Sequence, residues 1–60
     1  MAEKNFGKAR EMFARAIGKI PDEPHFWEAL GESQLALGET EAAAASFRTA
    51  EELGRAAAGR

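Results

Sequence analysis

One motif occurs twice in this chain, and the interval between its copies constrains the fold more than any other feature. Ala9, Phe13 and Ala16 stand in the order A-x3-F-x2-A, and Ala43, Phe47 and Ala50 repeat that order 34 positions later. Trp27, Leu30 and Gly31 lie between the copies as W-x2-L-G. Self-similarity at a fixed period of some tens of residues marks a supersecondary unit that stacks on its neighbours. Such a unit cannot bury its apolar face alone, because each repeat packs chiefly on the next. A chain of 60 residues holds about one and a half units of this period. Some faces that normally meet a neighbour are therefore left without one.

Inside each unit the spacing is helical. Phe6, Ala9, Phe13, Ala16, Ile17 and Ile20 recur at intervals of three and four, which predicts a first helix from about Ala2 to Lys19. Lys4, Lys8, Arg15 and Lys19 flank or oppose that stripe. Pro21 stops the helix, because a proline pushes the residue before it out of the helical region. Asp22 or Glu23 caps the next helix, and Pro24 suits its first turn, where no N–H is needed. This second helix is expected to run to Leu37, with Phe26, Trp27, Leu30, Gln34 and Leu37 on its main apolar side. Gly38 ends it in a left-handed cap. Gly31, inside the helix, costs about 1 kcal/mol relative to alanine and is read as a point of close approach by a neighbouring helix. The third helix starts near Glu39 or Thr40, with Thr40 as N-cap. It reaches Leu53, or Ala58 if Gly54 does not interrupt it. The expected fold is all-α, three antiparallel helices joined by short turns. Its core is expected to hold Phe6, Phe13, Ile17, Phe26, Trp27, Leu30, Ala43, Phe47 and Ala50.

Composition narrows the function. Hydrophobic residues make up 45% of the chain, yet 14 of them are alanine, so few side chains are large enough to fill a core. The absence of cysteine excludes disulfides, thiolate zinc sites and thiol chemistry. No apolar run approaches the roughly 18 residues of a membrane span, and no signal-peptide apolar region is seen, so a soluble, cytoplasmic chain is expected. A net charge of −2 argues against nucleic acid as a partner. The charge is unevenly spread: residues 1–20 carry five Lys/Arg and two Glu, residues 21–40 carry five acids and no Lys or Arg, and residues 41–60 balance. Helices of opposite sign attract, within one chain or between copies.

W-x2-L-G followed by A-x3-F at a 34-residue period resembles the tetratricopeptide repeat (TPR). The resemblance covers nearly the whole chain as a single domain, 1–60, an α-solenoid fragment of helix-turn-helix units. Residues 1–20 correspond to the second helix of a partial repeat and 24–57 to one full repeat. Trp27, Leu30, Gly31, Gly38, Ala43, Phe47, Ala50 and Leu53 match the pattern. Gln34 departs from it where the family usually has tyrosine. Thr40 departs where an aromatic is usual, and Arg55 where a closing proline is usual. The resemblance implies a non-enzymatic protein-binding module with its ligand surface on the first helix of each repeat. Carried over, that surface is His25, Glu28, Glu32 and Leu35, with Ala36 beside them. Its acidity implies a basic or mixed-charge peptide. Relatives that grip acidic chaperone tails use lysine and asparagine, and neither stands on this face. A solvated helix face is the plainer reading of the same residues.

The incomplete repeats suggest a stronger role. The first helix lacks the partner that would precede it and the third lacks one that would follow. Phe6, Met12 and Phe13 at one end, and Phe47 and Leu53 at the other, are then candidates for self-association into a homo-oligomer. Other readings stay open: a monomeric peptide binder with an acidic face, or a basic amphipathic first helix that meets a membrane surface or a partner. Packed core is the simpler account of that helix, since its register matches the later repeat. Catalysis finds no support. His25 is the single histidine, with no second strong metal ligand nearby. Ser33, Thr40, Ser46 and Thr49 have no base placed by local spacing. The glycines lack a phosphate-loop pattern, so neither a metal nor any other cofactor is expected.

Overall fold

A computed structural model describes residues 5–59. The described chain is all-α: α1 spans Phe6–Lys19, α2 Pro24–Ala36 and α3 Thr40–Ala58. No strand occurs among the described residues. α2 packs against both other helices, and no residue of α1 comes within 8 Å of one of α3, measured between Cα atoms. The helices therefore form an open series, α1 on α2 on α3, in place of a closed three-helix bundle. Short connections reverse the chain at each turn, so helices adjacent in sequence run antiparallel.

The helix ends follow local chemistry, in places against expectation. α1 begins at Phe6, later than the anticipated Ala2; residues 2–4 lie outside the described residues. Asn5 is the reason: its backbone is non-helical and its side-chain oxygen accepts the Lys8 N–H at 3.0 Å. An Asn that satisfies a free N–H in this way sets the helix start. Ile20 closes α1 by donating its N–H to the Ala16 carbonyl at 2.8 Å. Pro24 occupies the first turn of α2, and Glu23 caps it by accepting the His25 N–H. Trp27 ties down the same turn, its Nε1–H donating to the Pro21 carbonyl at 2.9 Å.

At the other end of α2, Gly38 has φ +84°. Its N–H bonds to the Leu35 carbonyl at 3.1 Å, and the Glu39 N–H reaches back to the Gln34 carbonyl at 2.8 Å. This pair of bonds is the Schellman closure, which needs a left-handed residue that glycine supplies without strain. The closure holds Glu39 in a non-helical conformation, so Glu39 becomes the N-cap of α3 and Thr40 its first helical residue. The expectation of Thr40 as cap is corrected on that ground. α3 also passes through Gly54 to Ala58. Alanines 56–58 favour helix, and Arg55 pairs with Glu51 one turn earlier at 3.5 Å.

The core is smaller than the sequence suggests. Leu30, Ala43 and Ala50 are its buried apolar residues, joined by Gly31, Ser33 and Ser46. Phe6, Phe13, Ile17, Phe26, Trp27 and Phe47, all expected inside, are half-buried. For Phe6, Phe13 and Ile17 on α1 and Phe47 on α3 the cause is the open series: each outer helix has a neighbour on one side only. Phe26 and Trp27 stand in the first turn of the central α2. What is sealed is a seam of small residues between α2 and α3. There a Cβ added to Gly31 would stand 2.8 Å from Phe47 Cε1, so the glycine is what admits the ring.

Candidate protein-interaction faces

Two open faces stand out. The first is a groove between α2 and α3. Glu28 and Glu32 form its α2 wall; Ala44, Phe47, Arg48 and Glu51 form its α3 wall. The wall residues follow the helical interval of three and four, which places each set on one side of its helix. The groove carries three carboxylates against one guanidinium, over an apolar floor made by Ala44, Ala50 and Phe47. Phe47 is half-buried because Gly31 admits its ring from one side while the groove leaves the other uncovered.

The second face is a stripe on α1 made by Met12, Arg15, Ala16 and Lys19. Met12 is 62% exposed, and none of the described residues of α1 is buried. Ile20, one turn on, is 50% exposed. Between α1 and α2 lies a third hollow, lined by Lys8, Arg10 and Glu11 with Leu30 and Gln34 behind them. Arg10 crosses it to form an ion pair with Glu39, which ties α1 to the turn between α2 and α3.

The residues singled out from the sequence divide among these faces. Glu28 and Glu32 do share a face, and the structure adds Arg48 and Glu51 of α3 opposite them. His25 and Leu35 are exposed and lie outside the groove's walls. Phe47 lines the groove and Met12 the α1 stripe, whereas Phe6, Phe13 and Leu53 are half-buried and line neither. Helix periodicity could not have found Arg48 and Glu51, because they meet Glu28 and Glu32 only across the α2–α3 turn. Arg15 and Lys19 had a visible signal, as bases interleaved with an apolar stripe.

His25 has a local explanation. Its Nδ1 lies 2.8 Å from Glu23 Oε2, the same oxygen that accepts its backbone N–H. The hydrogen bond to Glu23, and then the charges of Glu23 and Glu28, hold the imidazole pKa above its usual value. The same hydrogen bond holds the Glu23 carboxyl below its usual value. The pair finishes the start of α2. Among the described residues no group of three or more His, Asp or Glu side chains could hold a metal ion. Nor is any described helix long and apolar enough to cross a membrane.

No family model matches this chain, and neither a curated protein nor a solved structure matches it.

Proposed function

We propose that this chain is a non-enzymatic protein–protein interaction and assembly module of the TPR type, which self-associates through apolar faces that its own helices leave half-covered. One observation carries the reading: among the described residues no large side chain is fully buried, and the five aromatics Phe6, Phe13, Phe26, Trp27 and Phe47 are only half-buried. A helix pair of this kind completes its burial against a further helix. The sequence resemblance supplies the repeat type, and the open helix series is compatible with it. The acidic groove favours a second occupant class, a basic helical peptide, over an acidic one. The cysteine-free composition is in keeping with a reducing, cytoplasmic setting.

Sedimentation equilibrium with parallel circular dichroism tests the reading, over about 1 µM to about 1 mM, the span in which modest interfaces form. Helix content that climbs with association is expected. A fully helical monomer throughout that range would refute self-association as the function.

A further inference from the structure

The two open faces are unlike in charge, and the 34-residue period gives each a counterpart elsewhere in the chain. Adding 34 to Met12, Arg15, Ala16 and Lys19 gives Ser46, Thr49, Ala50 and Leu53. Ser46 and Ala50 are buried, and α2 is the one helix that touches α3. The α1 stripe is thus the counterpart of a face that α2 covers inside the molecule. The groove's α3 wall has its own counterpart. Ala44, Arg48 and Glu51 correspond to Arg10, Ala14 and Ile17, on the helix that packs directly on α2.

We propose, on the self-association reading given above, that the copies join head to tail, the Met12–Arg15–Ala16–Lys19 stripe of one chain seating in the acidic groove of the next. Charge selects this pairing. Arg15 and Lys19 would meet Glu28, Glu32 and Glu51, whereas stripe on stripe sets base against base and groove on groove sets acid against acid. Like charges brought together in an interface are costly, and this disfavours pairing either face with its own copy. Met12 is an unbranched, adaptable side chain that fills the uneven apolar floor beside Phe47. The seated stripe also gains the cover it lacks, since one wall of the groove is the neighbour's own α2. An interface between two different faces does not close on itself unless the rotation happens to form a ring, so assembly continues past the dimer.

Charge reversal tests this directly. Arg15→Glu/Lys19→Glu makes both faces acidic, and Glu28→Lys/Glu32→Lys makes both basic; all four positions are exposed. Each variant alone should associate more than about tenfold more weakly than the parent chain, a loss of about 1.4 kcal/mol. An equimolar mixture should recover association by sedimentation velocity, with circular dichroism showing that each variant is helical. A groove variant that associates like the parent overturns the head-to-tail pairing while leaving self-association intact. So does a mixture that stays monomeric, or growth that stops at a dimer. A parent chain that is monomeric throughout refutes the assembly reading itself. If it nonetheless binds an unrelated lysine-rich helical peptide, the groove belongs to another partner and the pairing is wrong. Should a variant fail to fold, salt decides with the parent chain alone. Raising it from about 20 mM to about 500 mM should weaken association about tenfold, and no weakening counts against the pairing.

Discussion

Gly31 and Phe47 show how one residue decides a helix contact. Glycine within α2 forgoes about 1 kcal/mol of helix propensity, and the benefit is the room it leaves for the Phe47 ring. A methyl group at Gly31 would press on that ring at 2.8 Å. Overpacking of this kind costs about 2 kcal/mol, so Gly31→Ala should destabilise the chain by about 1 kcal/mol after the propensity gain. In a Phe47→Ala background the clash is gone and the same substitution should stabilise by about 1 kcal/mol. Urea titration of the four chains reads the reversal of sign; two changes of the same sign would mean the ring is not seated on Gly31. The sequence already pointed to a close approach at Gly31. It could not name Phe47, because the two residues meet only once the α2–α3 turn has set the helix register.

At the scale of the helix pair, the α2–α3 seam contains a polar bond. Ser46 is buried and its hydroxyl donates to Gln34 Oε1 at 2.6 Å. Gln34 stands where a tyrosine is usual in the repeat the sequence resembles. Here it satisfies a hydroxyl 12 residues away, a relation no helical period reveals. Gln34→Ala leaves that hydroxyl without a partner and should cost about 1–2 kcal/mol, whereas Gln34→Leu with Ser46→Ala removes both halves and should be nearly neutral. Equal losses in the two variants by urea titration would show that the bond does not matter. Helix existence was plain from the apolar intervals and the two prolines. The helix ends were less so, because Asn5 and the Schellman closure at Gly38 and Glu39 act through single hydrogen bonds. The core list failed for a related reason: an apolar stripe shows which face seeks cover, not whether a neighbour is there to give it.

For the whole molecule, the unequal burial of the three helices predicts unequal stability. α1 has no buried residue among those described, and its ties to the rest include the half-exposed Arg10–Glu39 pair. Exposed ion pairs contribute little, about 0.2–1 kcal/mol. Amide hydrogen exchange on dilute protein should therefore show α1 opening at lower free energy than the α2–α3 pair, with α1 gaining protection as concentration rises. Uniform protection along the chain would mean α1 is held as firmly as the seam. The uneven charge that makes one end basic and the middle acidic was legible from the first forty residues alone; the convergence of Glu51 on Glu28 and Glu32 was not. The lack of any approach between α1 and α3 has a kinetic consequence as well. Helix packing joins only helices that follow one another along the chain, so the relative contact order is low and no long loop must close before contacts form. Chains of that kind fold in about microseconds to milliseconds. Each newly made helix can find its neighbour without waiting for the rest of the chain.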